Sequence, residues 1–450
     1  MTRRPLAVLH VSTYERRGGA EQVARSLFEA YRRLGHRSYL AVGRGPATDP
    51  GVLPLSQGNR RIAHILAGPG RLFDRWRGLE SYRYPGSRNL PDLVDDAPDI
   101  VHLHNLHGGY FDLRVLPELG RRCPTVLTLH DAWLLSGHCA HSFDCERWRS
   151  GCGECPDLSI YPAIRRDATA ANWRRKRDIL ARSGLHIATP SVWLMQRVSA
   201  SLIAQAACTT RVIPNGVDLS VFSPDDSYAA RDRLGLRVDG HLVLVAGSAL
   251  RTNPFKDWPT VRRAVSHAAE ALNANVMLVA LGDRGEPERA GRVQVDYVPF
   301  ERDPATVADY YRAADVYLHA AHADTFPNTV IEALACGTPV VATAVGGVPE
   351  QVNSLEPAAG VEAHRADTAT GVLVAEGDAP AMGRALTDLL ERRQLRQQLA
   401  ANAAADARAR FDFMQQRDAY LAWYYDLLEA RDTLEHRARS TSRGPASSPS

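Results

Sequence analysis

Two acidic side chains eight positions apart, Asp324 and Glu332, stand in the stretch DTFPNTVIEALACGTPVVATAVGGVPE with Asn328 between them. The run before it, Asp315-Val316-Tyr317-Leu318-His319, reads as a strand. A helical pattern follows from Asn328 to Ala335 and stops at Gly337, and a β-branched run from Pro339 to Thr343 leads to Gly346-Gly347. That is one βαβ unit with its polar residues gathered at one end. In an open parallel sheet this is the end where ligands bind, and a helix start there offers backbone N–H groups to an anion. Asn328 and Glu332 are four apart and share a helix face, while Asp324 sits in the loop ahead of them. Carboxylates next to a phosphate repel it, unless they accept the hydroxyls of a neutral polyol. Phosphate plus polyol describes a nucleotide sugar.

The spacing Asp324-x7-Glu332 resembles the E-x7-E element of retaining glycosyltransferases of family 4, with Asp for the first Glu, and ALACGTPVVATAVGGVPE is similar to that family's consensus. The resemblance implies that Glu332 accepts the ribose hydroxyls, that Asp324 accepts those of the transferred sugar, and that amides around Asn328 and Thr329 meet sugar or diphosphate. Gly18-Gly19-Ala20-Glu21 resembles the family's G-G-x-E loop, which faces the nucleotide sugar; by themselves the two glycines fit a tight turn equally well. His130, at the end of the apolar run Thr125 to His130, matches the histidine that approaches the donor sugar, and a structural role is the alternative. The sequence GSALRTNPFKD stands where the family has G-R-x3-K-G. Lys256 matches, Ser248 takes the place of the usual Arg, and Arg251 is the candidate to replace it in stabilising the departing diphosphate.

A third constellation is Cys139, Cys145, Cys152 and Cys155, in the spacing C-x5-C-x6-C-x2-C. The C-x2-C pair with two further thiols suits a closed, structural zinc site; reduced thiols and disulfides are the alternatives. The surrounding W-x4-G-H-C…C-x2-W-x2-G-C-x2-C-P pattern resembles family 4 enzymes that build bacterial exopolysaccharide or capsule.

Elements to position these residues recur along the chain. Leu6 to Ser12, Asp99 to Asn105, Thr125 to His130, His186 to Ser191, Leu242 to Ala246, Val276 to Leu281 and Val293 to Phe300 read as strands between helical stretches. The expected fold class is α/β, two doubly wound Rossmann-like domains facing across a cleft, the GT-B arrangement the resemblance implies. Residues 1–214 form the acceptor-side domain, residues 215–410 the nucleotide-sugar domain, and a helix over about 411–430 packs back on the first. VIPNGVD, Val212 to Asp218, is the linker, and 434–450 is expected to be a disordered tail. A long basic helix is expected from about Ile164 to Ser183, and one continuous helix from about Ala379 to Arg410.

The 450 residues carry a net charge of +3, with 30 Lys/Arg against 19 Asp/Glu in residues 1–215 and 24 against 32 in the rest. The first half is therefore the one to seek acidic partners. Arg71, Arg75 and Trp76 can share a basic, aromatic helix face suited to an anionic bilayer or a lipid-linked acceptor, against the plainer reading of a solvated helix. The basic run Asn172 to Asp178 carries the same two readings. No nucleic-acid-binding module is recognisable. No apolar run reaches the length of a membrane span and no signal-peptide core follows Met1, so a cytoplasmic location is expected, peripheral on the inner membrane face at most. The expected partners are a nucleoside-diphosphate sugar and a lipid-linked or oligosaccharide acceptor. The family generally needs no catalytic metal. An epimerase or phosphorylase of the same fold and a non-catalytic binding protein are the alternatives, and activity is expected to depend on domain closure.

Overall fold

The computed structural model of the protein describes residues 4–55 and 59–442, which divide into two compact units. Unit 1 holds residues 1–189, 195–213 and 417–450, and unit 2 holds 190–194 and 214–416.

Unit 1 runs β1 (Ala7–Ser12), α1 (Gly19–Arg33), β2 (Arg37–Val42), β3 (Val52–Pro54), α2 (Asn59–Leu66), α3 (Gly68–Trp76), β4 (Ile100–His104), α4 (Leu116–Arg122), β5 (Thr125–Thr128), α5 (Thr169–Leu180), β6 (Leu185–Thr189), α6 (Val192–Ser199) and β7 (Ala207–Val212). All its strands are parallel, in the order β3-β2-β1-β4-β5-β6-β7.

Unit 2 runs α7 (Ser227–Arg233), β8 (His241–Ala246), α8 (Trp258–Ala271), β9 (Val276–Leu281), β10 (Glu288–Ala290), β11 (Val293–Val298), α9 (Pro304–Ala313), β12 (Val316–His319), α10 (Asn328–Ala335), β13 (Val340–Thr343), β14 (Gly371–Val374), α11 (Ala379–Glu391) and α12 (Arg393–Arg410). Its order is β10-β11-β9-β8-β12-β13-β14, and only the edge strand β10 is antiparallel. Both sheets are doubly wound, with the strand order reversing between β1 and β4 in one and between β8 and β12 in the other. Those reversals open the crevices in which such sheets bind ligands.

The strands read as unbroken apolar runs because both faces of each sheet are covered. On β8, Leu242, Leu244 and Ala246 join one core with Val330 and Leu334 of α10, while Val243 and Val245 join the other with Val261 and Val265 of α8 and Leu386 of α11. Each buried Val or Leu stabilises the fold by about 1.5–3 kcal/mol relative to exposure.

A last helix, α13 (Phe413–Ser442), belongs from Arg417 onward to unit 1. There Tyr31 Oη donates to the Arg417 carbonyl at 3.1 Å, and Tyr425 Oη donates to the Arg4 carbonyl at 2.7 Å. The helix extends through 434–442, where no structure was expected; the remaining tail lies outside the described residues. The expected helix 379–410 breaks at Arg392, whose neighbour Arg396 bonds the Leu389 and Leu390 carbonyls at 2.8 Å and so ends α11. The basic helix is shorter than expected, and its Lys176 is not solvated. It is fully buried, donating to the carbonyls of Trp133 and Ser136 at 2.8 and 3.0 Å and lying 2.9 Å from Glu80. Among the described residues no helix is long and apolar enough to cross a membrane.

Candidate functional site

In unit 2 the ligand end of the sheet is built by two loops that grip each other. The loop after β8 and the loop after β12 exchange backbone bonds, Asp257 N to Ala320 O at 3.1 Å and His322 N to Phe255 O at 2.9 Å, which brings Lys256 over the second loop. Lys256 Nζ then donates to Asp324 Oδ2 at 2.8 Å, and His319 Nε2 lies 3.4 Å from the same oxygen. Behind Asp324 the glycine pair has a steric reason. Gly346 takes φ +55°, and a Cβ there would stand 1.8 Å from the Asp324 carbonyl; one on Gly347 would stand 2.0 Å from that of Thr325. The backbone of Gly346-Gly347 thus fixes the height of the Asp324 loop.

Glu332 lies one turn into α10, and its Oε2 accepts from Tyr311 Oη at 2.8 Å. Helix α10 starts after Pro327 without a side-chain cap, and Asn328 Oδ1 accepts from Asn215 Nδ2 at 2.9 Å. Burial alone would push the Asp324 carboxyl up, but Lys256 and His319 outweigh it and hold it well below the usual carboxylate range. Glu332 has no cation beside it, so burial raises it to about 7 against the bond from Tyr311. The pKa values of two carboxyls of one site are thereby driven in opposite directions.

Arg251 is placed differently. It stacks on Tyr297 at 4.4 Å, and its backbone and Nε bond Asp283 Oδ2 at 3.1 and 3.3 Å. Its guanidinium also donates to the Arg284 carbonyl. A diphosphate would have to compete with Asp283 for it, whereas Lys256 already stands at the carboxylate cluster.

In unit 1 the corresponding end of the sheet carries histidines. His130 follows β5; its backbone N–H donates to Asn105 Oδ1 at 3.1 Å and its Nε2 lies 3.2 Å from His104 Nδ1. Burial lowers its pKa to about 4, which leaves a neutral imidazole. Next to it Asp131 binds His107 Nε2 at 2.6 Å and Asn105 Nδ2 at 3.0 Å. Burial would lower His107, but the Asp131 carboxylate prevails and raises it. Gly18 and Gly19 open α1. Gly18 is extended, not turned, and a Cβ there would meet Glu21 Oε2 at 2.9 Å, so the glycine makes room for the glutamate that burial raises.

Behind His130 lies a fully buried imidazole stack. His10, His102 and His104 share one sheet face, with His10 opposite His102 in the β1–β4 register. Among the described residues these three are the group that brings potential metal ligands within 4.8 Å of one another; Cys139, Cys145, Cys152 and Cys155 form no such group. Besides burial, the charges of neighbouring thiols raise the pKa of Cys139, Cys152 and Cys155, so the four lie near one another, and two of them have polar partners. Cys152 Sγ accepts from Gly137 N at 3.2 Å, and Cys155 Sγ lies 3.4 Å from His138 Nε2. Burial pushes the Cys152 thiol up to about 11.

Sequence reading missed His319 and Tyr311 as partners of the two carboxyls, and left His107 and Asp131 without assigned roles. His319 closes the strand ahead of Asp324, and that position was the available signal. Tyr311 comes from a helix with no spacing relation to Glu332.

Comparison with known proteins joins the two units to one group. Residues 17–221 match the model described as Glycosyltransferase Family 4 and residues 231–406 that described as Glycosyl transferases group 1. The D-inositol 3-phosphate glycosyltransferase of Acidothermus cellulolyticus is 32% identical over 262 residues, 54% of each chain. The putative colanic acid biosynthesis glycosyl transferase WcaC of Escherichia coli is 28% identical over 259 residues, 55% of this chain and 60% of its own. The chain thus spans little more than half the length of these relatives. HepE of Anabaena, solved with UDP and glucose, superposes with a TM-score of 0.61 at 18% identity, covering 94% of this chain and 100% of its own. The fold is that of the GT-B glycosyltransferases.

Proposed function

We propose that this chain, whose two units each match a glycosyltransferase family model, is a retaining hexosyltransferase. It moves a sugar from a nucleoside-diphosphate sugar to an acceptor hydroxyl, in the building of a cell-surface polysaccharide or glycolipid. The observation that carries this reading is the pair of carboxyls at the switch point of the second sheet, Asp324 and Glu332, whose surroundings shift their pKa values in opposite directions. Asp324, ionised and fixed by Lys256 and His319, suits the hydroxyls of the transferred sugar. Glu332, one turn into α10, suits the ribose pair.

In the reaction the bond between the anomeric carbon and the diphosphate breaks, and the diphosphate leaves with the electron pair. The acceptor oxygen bonds to the anomeric carbon on the same face, and its proton passes to the departing phosphate. Lys256 and the amides that open α10 stabilise the charge on the leaving group. His130, kept neutral, binds a sugar hydroxyl without repelling a developing positive charge. No step needs a metal. The substrate class finds support in the names of the relatives, a glycosyltransferase acting on inositol phosphate and one of colanic acid biosynthesis, and in the UDP and glucose held by HepE.

A melting-temperature panel with UDP, GDP and ADP, each with and without its sugar, tests the reading. One nucleotide should raise the midpoint by several degrees and its sugar conjugate should raise it further. No rise with any of them contradicts the donor site.

A further inference from the structure

Six of the fourteen exposed large hydrophobic side chains among the described residues fall within one short stretch: Ile62, Ile65 and Leu66 on α2, and Leu72, Phe73 and Trp76 on α3. Each leaves 52–74% of its surface open. Their spacing, i, i+3, i+4 on α2 and i, i+1, i+4 on α3, puts them in stripes rather than scattering them, and a folded chain rarely leaves such a cluster uncovered.

Arginines dominate the charges around the stripe. Arg75, Arg77, Arg83 and Arg166 are exposed beside it, and two of them lie on its rings, Arg166 at 4.0 Å over Trp76 and Arg77 at 5.7 Å over Phe73. Between Gln57 and Pro91 the sequence holds two acids, Asp74 and Glu80, and both turn inward. Asp74 accepts from Ser81 Oγ at 2.9 Å and Arg83 Nε at 3.1 Å, and Glu80 faces the buried Lys176. Among the described residues of this segment no carboxylate is left on the outside, and the exposed Asp167 beside Arg166 is engaged by its own loop, accepting from Cys155 N at 2.8 Å and Thr169 N at 2.9 Å.

The far side of α3 is anchored. A Cβ on Gly78 would strike the Arg166 carbonyl at 2.0 Å, so the helix end is pressed against the loop before α5, and Asn172 Nδ2 holds the Gly78 carbonyl at 3.0 Å. The stripe is therefore presented on a braced support.

We propose that the outer face of α2 and α3 is a docking surface for an anionic lipid bilayer. The leucine, isoleucine and aromatic side chains enter the headgroup boundary, and the arginines bind lipid phosphates around them. Apolar anchors under a predominantly basic rim are the composition of interfacial helices. A protein partner of ordinary charge would leave the arginines unmatched. This assignment stands apart from the catalytic reading, since none of these residues belongs to the carboxylate or histidine clusters.

The test is flotation of the full chain with vesicles of phosphatidylcholine containing phosphatidylglycerol, against phosphatidylcholine alone. The protein should partition onto the anionic vesicles and be released by salt. Replacing Arg75, Arg77 and Arg166 by Gln should weaken partition by about fivefold per arginine, the equivalent of about 1 kcal/mol each. Leu72→Ser with Trp76→Ser should abolish it while the nucleotide-induced melting shift stays unchanged. Equal binding to both vesicle types, no binding to either, or unchanged partition of the arginine variant overturns the proposal. So does vesicle-free self-association that Leu72→Ser and Trp76→Ser remove, because the face would then join two copies of the chain.

Discussion

The two ligand ends solve the same electrostatic problem with different groups. In unit 2, two carboxyls are separated: Lys256 and His319 hold Asp324 ionised, and burial raises Glu332 to about 7. In unit 1, two imidazoles are separated: burial lowers His130 to about 4, and Asp131 raises His107. In both, a close counter-ion shifts the pKa toward the charged form and burial without one shifts it toward the neutral form. The difference lies in the support. Asp324 rests on Lys256, His319 and a glycine turn, whereas His130 rests on His104, itself packed against the buried His10 and His102.

The contrast is broken most directly at Lys256. Lys256→Ala leaves Asp324 without its cation, so transfer should fall by about 10²–10³-fold, and stability by about 2–3 kcal/mol because the pair is mostly buried. Initial rates and urea unfolding measure the two losses; unchanged rates would remove Lys256 from the chemistry. His130→Ala should cost about 10²-fold in kcat while nucleotide affinity holds. A loss confined to affinity would instead make the histidine a ground-state ligand.

Glu332 gives a pH test of intermediate size. Its folded pKa is raised above the unfolded value, so its neutral form favours the fold, and that contribution is complete below about pH 4.5 and fades as pH rises through about 7. Unfolding free energy should drop by at most about 3 kcal/mol over this window, and donor affinity should rise over it, because the ionised form accepts the ribose hydroxyls. Glu332→Gln should flatten both profiles in paired calorimetric and denaturation measurements. The smallest effect is expected from Arg251→Ala. With its guanidinium engaged by Asp283, donor KM should change by less than about tenfold; a loss comparable to that of Lys256→Ala would return the diphosphate role to Arg251.

Much of this was legible in the sequence because strands buried on both faces are written as apolar runs, and because the residues of α10 keep their register from Asn328 to Ala335. Asp324 and Glu332 stand out by spacing, since loop and helix fix their distance along the chain, and Lys256 by the motif its segment resembles. What spacing cannot show is a partner from elsewhere in the fold. Tyr311 reaches Glu332 from α9, and Glu80 neutralises Lys176 from a distant loop, so a lysine in a basic run is buried instead of solvated. The break at Arg392 was invisible for a related reason. Nothing in ERRQLRQQ opposes a helix, and the turn is held by Arg396 reaching back to the end of α11.

The central claim, that one carboxyl serves the sugar and the other the nucleotide, meets its most direct test in calorimetric titration of the wild type, Asp324→Ala and Glu332→Ala. Each is titrated with the nucleoside diphosphate that stabilises the protein and then with its sugar conjugate. Asp324→Ala should keep the affinity for the diphosphate and lose the increment due to the sugar, while Glu332→Ala should weaken both by at least about tenfold. Equal losses in the two variants, or affinities indistinguishable from wild type, would contradict the account.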